Sequence, residues 1–138
     1  MKHFGNYIQH RKQRNDDLIR AYRQQLHRSK VIRLDEIWHK IADMPSKRFW
    51  VSEERAAIVI SKMMKGDTLH NMRPLKKEMF QEIYNRVNHI RKKQPSISVY
   101  KCCIVACNSP APKFYMTPLS IRQTIYKIKK EWKKQQKH

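Results

Sequence analysis

Glycine is nearly absent from this 138-residue sequence, which has two glycines, Gly5 and Gly66. Tight β-hairpins and glycine-rich phosphate loops need residues that adopt positive φ angles easily, so this composition disfavours both features and all-β folds in general. Hydrophobic residues nevertheless make up 40% of the chain, which is enough to form a core and is not typical of a disordered protein. We therefore expect an all-α fold, a compact helical domain.

Cysteine is also scarce, and its three copies, Cys102, Cys103 and Cys107, are an odd number. Such a set does not form the disulfide framework of small secreted proteins. Cys103 and Cys107 are four residues apart, as two zinc ligands on one helix face would be, but no second Cys or His pair completes a tetrahedral site. Because apolar residues surround the three thiols, we expect them to be buried and free, with no metal and no cofactor.

Long apolar segments are missing as well. No apolar run approaches the ~18 residues of a membrane-spanning helix. The first residues, "MKHFGNYIQHRKQRND", lack the apolar stretch of a secretory signal. We expect a cytoplasmic protein with no membrane partner, or one packaged in a virion.

Acidic residues are few, 11 against 31 lysines and arginines, and the formal net charge is +20. This excess is larger than solubility requires and is typical of proteins that bind a polyanion. Residues 67–138 alone contain 16 basic and 4 acidic residues, a net charge of +12. We therefore expect nucleic acid as the partner, double-stranded DNA in particular, bound mainly by the second half of the chain.

Helix signals divide the first half of the chain. Asn15 is a suitable N-cap with two aspartates behind it, which predicts a helix start there and leaves residues 1–14 as a basic N-terminal arm. Apolar spacing over residues 31–43 predicts a second helix. A third helix is expected between a Ser52 cap and Gly66, which is suited to a helix C-terminus.

The second half is less clear from periodicity alone. After a connector of residues 67–73, Pro74 is suited to the first position of a fourth helix. The segment of residues 97–107 is rich in β-branched side chains and fits a strand as well as a helix. Periodicity leaves these two alternatives open.

A repeated motif helps to choose between them. The sequence "KRFWVS" at residues 47–52 resembles "PKFYMT" at residues 112–117. A shift of 65 residues aligns Phe49 with Phe114 and gives five identities over the 21 positions that begin at Pro45. Both motifs place a basic residue, two aromatics, an aliphatic and a hydroxyl before a helical pattern.

The same shift places residues 97–107 on the second helix and therefore predicts a helix there. We predict a tandem duplication of a three-helix unit, with repeats at residues 15–66 and 74–138. The aromatic side chains of each motif are expected to pack into the core, and stacking on nucleic-acid bases is the alternative. The motif residues with structural roles are Phe49, Trp50, Ser52, Phe114, Tyr115 and Thr117.

The last helix differs from its counterpart in the first repeat. Thr117 and Pro118 form a strong helix start, and a single apolar stripe follows, with basic residues around the remaining circumference. Such a helix can pack by one face and present lysines to phosphates. The candidate nucleic-acid-binding residues are Arg11, Lys12, Arg14, Lys113, Arg122, Lys127, Lys129, Lys130, Lys133, Lys134 and Lys137.

The sequence gives no catalytic signature, and we expect no enzyme. Its carboxylate pairs sit at helix starts, where the helix dipole explains them, and its seven histidines are scattered. A helix-turn-helix motif is disfavoured because the segment of residues 44–51 is long for the turn and the helix of residues 52–65 is too apolar for a DNA groove.

The stretches "RFWVSEERAAIVISKMMKGD" and "NSPAPKFYMTP" resemble motifs of short, basic, uncharacterised proteins from gut bacteria and their phages or mobile elements. The resemblance covers residues 15–130 and implies a phage or mobile-element context, without an activity or site residue. Two other functions remain open beside DNA binding. One is a phage structural or assembly protein that binds an acidic protein or packaged genome, and the other is RNA binding.

Overall fold

The computed structural model describes residues 2–31 and 33–136, and of residues 2–9 only the backbone. The described residues form six α-helices and no β-strand, which confirms the all-α prediction and the helix predicted at residues 97–107. Within these residues, no helix combines the length and the apolar character needed to cross a membrane. The helices are α1 (Lys2–Arg28), α2 (Leu34–Ala42), α3 (Glu53–Met64), α4 (Pro74–Lys93), α5 (Val99–Cys107) and α6 (Pro118–Gln136).

The first helix begins much earlier than predicted. It starts at Lys2, so the predicted start at Asn15 is wrong, and residues 2–14 are helical instead of forming a separate arm. No proline interrupts this stretch, and its lysine, arginine and glutamine residues favour helix extension once a helix has nucleated. The Asn15 amide, the proposed cap, instead accepts a hydrogen bond from the guanidinium of Arg14 at 3.1 Å.

The predicted starts of α3 and α6 agree with the structure, whereas α2 begins at Leu34 and α5 at Val99, three and two residues later than predicted. The Ser52 hydroxyl accepts a hydrogen bond from the Arg55 N–H at 3.1 Å, and the Thr117 hydroxyl accepts one from the Ser120 N–H at the same distance. Each side chain thus satisfies an N–H that the first helical turn leaves unpaired. After α3, Gly66 has a φ of 102°, the left-handed conformation that glycine adopts at little cost.

The chain divides into two compact units. The first contains Met1–Ser46 and Pro112–His138, and therefore α1, α2 and α6, whereas the second, Lys47–Ala111, contains α3, α4 and α5. The third helix of each predicted repeat packs with the first two helices of the other, because the chain changes unit at the start of each repeated motif. The units therefore do not coincide with the predicted repeats, and the duplication itself stays a prediction.

The core of the first unit consists of aliphatic side chains from its three helices. Leu18, Ile41, Ile121 and Ile125 are fully buried. Asp17 is also buried, with 1% of its side chain exposed, and it forms an ion pair with Arg20. A charge so well removed from water needs a partner of opposite charge.

The same arginine connects α1 to the segment that follows α2. Besides pairing with Asp17, the Arg20 guanidinium donates a hydrogen bond to the carbonyl of Pro45 at 3.2 Å. A single side chain therefore balances a buried carboxylate and satisfies a backbone acceptor in the same unit. The contact with Pro45 stabilises the position of α2 on α1, whereas the ion pair with Asp17 lies within α1.

A comparable arginine serves the second unit. Arg86 on α4 pairs with Glu82 at 3.1 Å and donates to the carbonyl of Pro110 at 2.7 Å. Its guanidinium also lies 4.8 Å from the centre of the Phe49 ring. Phe49 is fully buried, and its N–H donates to the Cys107 carbonyl at 3.0 Å. Arg86 therefore links α4 to the segment before α3, through Phe49, and to the segment after α5, through Pro110.

Replacing Arg86 with methionine is expected to lower the free energy of unfolding by about 1–3 kcal/mol. The reason is the loss of a charge-assisted hydrogen bond and of a cation–π contact with a buried ring. Chemical denaturation followed by circular dichroism measures the change. Arg55→Met, at an exposed position on α3, is the matched control and should change stability by no more than about 0.5 kcal/mol. Equal stabilities of the two variants would contradict the role given to Arg86.

Candidate nucleic-acid interface

Helix α6 packs in the first unit by one side only. Ile121 and Ile125 are fully buried and Ile128 is half-buried, and α6 contacts both α1 and α2. The spacing of these residues, four and three, repeats once per helical turn and forms one apolar stripe. This packing fixes which side of α6 faces the solvent.

The opposite side of α6 is basic. Successive residues of an α-helix are rotated by about 100°. The side chains of Arg122, Lys127 and Lys130, which follow Ile121 by one, six and nine positions, therefore point away from the buried stripe. Glu131 is the single acidic residue of α6 and lies 4.0 Å from Lys134. We call the exposed cations on this side the basic face, and they are Arg122, Lys127, Lys130, Lys133 and Lys134.

The charge of the first unit as a whole has the same sign. Its sequence contains 18 lysines and arginines and 6 aspartates and glutamates, a net charge of +12, whereas the second unit has 13 and 5, a net charge of +8. The basic face thus lies on the more strongly charged unit. Since both units are positive, the whole chain attracts polyanions, and the surface of α6 concentrates that attraction.

Lys129 belongs to the predicted set but has a different environment. It is half-buried, its ammonium donates a hydrogen bond to the Tyr22 hydroxyl at 2.8 Å, and it lies 4.5 Å from the centre of the Tyr22 ring. These contacts connect α6 to α1. Lys129 therefore helps to pack the first unit, in addition to the phosphate contact predicted for it.

The remaining predicted residues lie elsewhere in the first unit. Arg11 and Lys12 are exposed on α1, while Arg14 is half-buried beside Asn15. Lys113 is half-buried, and its ammonium lies 5.8 Å from the centre of the Tyr115 ring. Lys137 lies outside the described residues. The structure thus brings together the five cations of the basic face, while Arg11, Lys12 and Arg14 lie on α1 and Lys113 precedes α6.

The two repeated motifs contribute to the cores through their first aromatic residue. Phe49 and Phe114 are buried, as predicted. Trp50 is only half-buried and lies under the guanidinium of Arg48, 5.5 Å from the ring centre to the Cζ atom. Tyr115 is half-buried in the same way and has a φ of 58°, a conformation that non-glycine residues seldom adopt. The second aromatic residue of each motif therefore lies at the edge of its unit.

Arg48 is engaged within the second unit and is not available as a free cation. Its guanidinium donates to Asn108 at 2.8 Å and to the backbone carbonyl of Val51 at 3.1 Å, and it pairs with Glu53 at 3.4 Å. Burial alone would raise the pKa of Glu53, but hydrogen bonds and the charge of Arg48 lower it below its ordinary value. Glu53 is thus charged at neutral pH and fixes the arginine to the start of α3.

The three cysteines are buried and free, as predicted. Burial raises the pKa of Cys103 to about 11 and that of Cys107 to about 12, and the pKa of Cys102 is also raised by burial. A thiol with so high a pKa is a poor nucleophile at neutral pH. In the part of the chain that the structure describes, no three His, Cys, Asp or Glu side chains are grouped as metal ligands would be.

This burial predicts the reactivity of the thiols. At pH 8, Ellman's reagent should react with none of the three cysteines in the native protein within minutes, and with all three in guanidinium chloride. Because the folded pKa values lie above that of an exposed thiol, the native state should also lose stability as the pH rises above about 9. Rapid labelling of a native cysteine at pH 8 would contradict the buried positions.

Tyr126 lies beside the basic face and was not among the candidate residues predicted from the sequence. Its side chain is 45% exposed, and it lies four residues after Arg122 and four before Lys130, on the same side of α6. The ring also makes an edge-to-face contact with the buried Trp38, with 5.8 Å between the ring centres. The spacing from the basic residues was visible in the sequence, but the Trp38 contact depends on how α2 packs against α6.

The chain was compared with protein-family models, curated proteins and solved structures. No protein-family model, curated protein or solved structure matches the chain. No relative therefore supplies an activity, a ligand or a site residue, and the function has to be inferred from the charge and geometry of this chain.

Proposed function

We propose that the protein binds nucleic acid, with DNA as the expected partner, by docking the basic face of α6 against the phosphate backbone. The observation that supports this proposal is the position of five exposed cations on one side of a helix whose other side is buried. A helix fixed in this way presents its charges as a group. Flexible lysines can then adjust individually to the phosphates.

The dimensions of the basic face suit a short stretch of nucleic acid. Arg122 and Lys134 are separated by about 18 Å along the helix axis at 1.5 Å per residue. A strand of B-DNA has one phosphate per about 3.4 Å, so this length corresponds to about five nucleotides of one strand. Five cations over five phosphates allow close to one neutralising contact per nucleotide.

Binding of this kind is driven by the release of counterions from the polyanion. It needs no side chain that discriminates between bases, because phosphate contacts carry no direct sequence information. We therefore expect the basic face alone to bind many sequences with similar affinity. The +20 charge of the chain adds a long-range attraction that raises the association rate at low salt.

A titration of labelled 20-nucleotide DNA by fluorescence anisotropy tests the proposal. With five contacts, the logarithm of the binding constant should fall against the logarithm of salt concentration with a slope of about −4.5 for duplex DNA and about −3.5 for a single strand. RNA of the same length and polyglutamate serve as competitors. Binding that is insensitive to salt would contradict the proposal. So would displacement of the labelled DNA by polyglutamate at a charge concentration at which unlabelled DNA does not displace it.

A second candidate function is a structural or assembly role with a protein partner, in a phage or mobile element. It is favoured by exposed apolar side chains in the second unit, where Tyr100 and Ile104 of α5 and Ile58 of α3 are all solvent-accessible. The Tyr100 hydroxyl donates to Glu54 at 3.4 Å, so the exposed faces of these two helices adjoin. A pull-down that recovers a stable protein complex after nuclease treatment would favour this role over direct DNA binding.

A further inference from the structure

We propose that Tyr126 is a stacking platform for an unpaired base, so that the basic face of α6 binds single-stranded nucleic acid in preference to duplex. This inference rests on the proposed function, because the phosphates that flank the base are held by the cations around the ring. It departs from the expectation of duplex DNA, which was based on net charge alone. Net charge does not distinguish a paired strand from an unpaired one.

The Tyr126 ring lies among cations on the exposed side of α6. With 45% of its side chain exposed, Tyr126 is an aromatic residue among the cations of the basic face, and the guanidinium of Arg122 lies 5.4 Å from the ring centre. An exposed tyrosine alone would need no explanation. The combination of an aromatic ring with surrounding cations is the pattern by which proteins hold single strands, with bases on the rings and phosphates on the cations.

Contact with a buried aromatic residue holds the Tyr126 ring in place. The ring meets Trp38 of α2 edge to face, with an interplanar angle of 89°, and Trp38 is itself only 5% exposed. On α1, Tyr22 stacks nearly parallel to Trp38, with an interplanar angle of 4° and 5.8 Å between ring centres. Lys129 contacts the Tyr22 ring and hydroxyl. A ring supported in this way loses little conformational entropy when a base stacks on it.

Two surface cavities lie beside the Tyr126 ring. One surface cavity of about 260 Å³ is lined by Tyr126, Lys129, Lys130 and Lys133. Another, of about 480 Å³, is lined by Tyr126, Gln123, Lys127 and Lys130. Each cavity has room next to the tyrosine and is lined by lysine side chains. A base in contact with the ring would therefore have its own phosphate and the next within reach of lysines.

A duplex cannot use this platform in the same way. Its bases are stacked on one another, and extruding one requires breaking that stacking and a base pair. Tyrosine on the surface of α6 would instead face the sugar-phosphate backbone of a duplex, where the lysines still bind but the ring gains little. At equal charge, the stacking of a base on Tyr126 thus gives a single strand a higher affinity than a duplex.

The test compares a 15-nucleotide oligothymidylate with an oligonucleotide of equal length in which abasic tetrahydrofuran residues replace the nucleosides. Both have the same phosphates. The wild-type protein should bind oligothymidylate about five- to a hundred-fold more tightly, as expected for the stacking of one base. Tyr126→Leu should bind both oligonucleotides with the affinity that the wild type has for the abasic one, whereas Tyr126→Phe should keep the preference.

The outcomes separate this inference from the proposed function. Equal, salt-dependent binding of both oligonucleotides by the wild type would overturn the stacking role and leave phosphate docking intact, as would a preference that survives in Tyr126→Leu. Salt-dependent binding of neither would overturn both proposals. Ultraviolet crosslinking of the wild type to a 5-iodouracil oligonucleotide gives a measurement that does not depend on the folding of a variant. We expect the crosslink at Tyr126, and crosslinks only on α1 or in the second unit would overturn the inference.

Discussion

Replacing Lys127, Lys130, Lys133 and Lys134 together by glutamine should reduce DNA affinity by roughly a thousand- to ten-thousand-fold at 0.1 M salt. Four phosphate contacts account for a change of about 3–4 in the salt-dependence slope, and each unit of slope is about a factor of ten at this ionic strength. The four side chains are exposed on one side of α6, so neutralising them should leave the fold unchanged. Anisotropy titrations over a salt series measure both the affinity and the slope.

The matched control neutralises four exposed lysines of the second unit, Lys65, Lys92, Lys93 and Lys101. It changes the net charge by the same amount, and therefore reduces the long-range attraction equally, without touching α6. We expect it to lower the affinity by less than about tenfold and the slope by less than 1. If the two quadruple variants lose affinity to the same extent, net charge alone drives binding and the basic face is not a site.

Phe49→Ala is expected to have the largest effect on stability, about 3–5 kcal/mol. The Phe49 ring is 0% exposed and lies under the Arg86 guanidinium, so its removal leaves a cavity in the second unit and removes a cation–π contact. A typical domain has a total stability of about 5–15 kcal/mol, so much of it would be lost. Urea denaturation, monitored by the circular dichroism of the helices, gives the change in the free energy of unfolding.

Trp50→Ala, at the next position of the same motif, provides the comparison. Trp50 is larger but only half-buried, at the edge of the unit beneath Arg48, and we expect its removal to lower stability by about 1–2 kcal/mol. The order of the two effects is the point of the experiment. A greater loss for Trp50→Ala than for Phe49→Ala would contradict the assignment of the first aromatic residue to the core and the second to the edge.

Local signals in the sequence predicted much of the fold. The caps at Ser52 and Thr117, the left-handed Gly66 and the helical starts at prolines are consequences of short-range chemistry, so they could be identified one by one. The motif comparison also predicted a helix at residues 97–107, where α5 (Val99–Cys107) lies, although the β-branched residues of this segment fit a strand equally well. The start of α1 was missed because a cap signal at Asn15 does not prevent a helix from extending upstream of it.

Long-range contacts could not be derived in this way. Nothing in the spacing of Arg20 or Arg86 shows that each reaches a proline carbonyl more than 20 residues away, because these bonds depend on how the helices pack. For the same reason, Lys129 could not be distinguished from its neighbours on α6 before its contact with Tyr22 was known. The third helix of each predicted repeat packs with the first two helices of the other repeat. This arrangement also depends on packing, which an alignment of the two repeats does not show.

The most direct test of the central claim is lysine footprinting. The protein is acetylated briefly with and without saturating DNA, and the modification of each lysine is measured by mass spectrometry. We predict that DNA protects Lys127, Lys130, Lys133 and Lys134 of α6, while Lys65, Lys92, Lys93 and Lys101 of the second unit react equally in both states. Protection of the second-unit lysines with unchanged labelling of α6 would contradict the assignment of the basic face as the nucleic-acid interface.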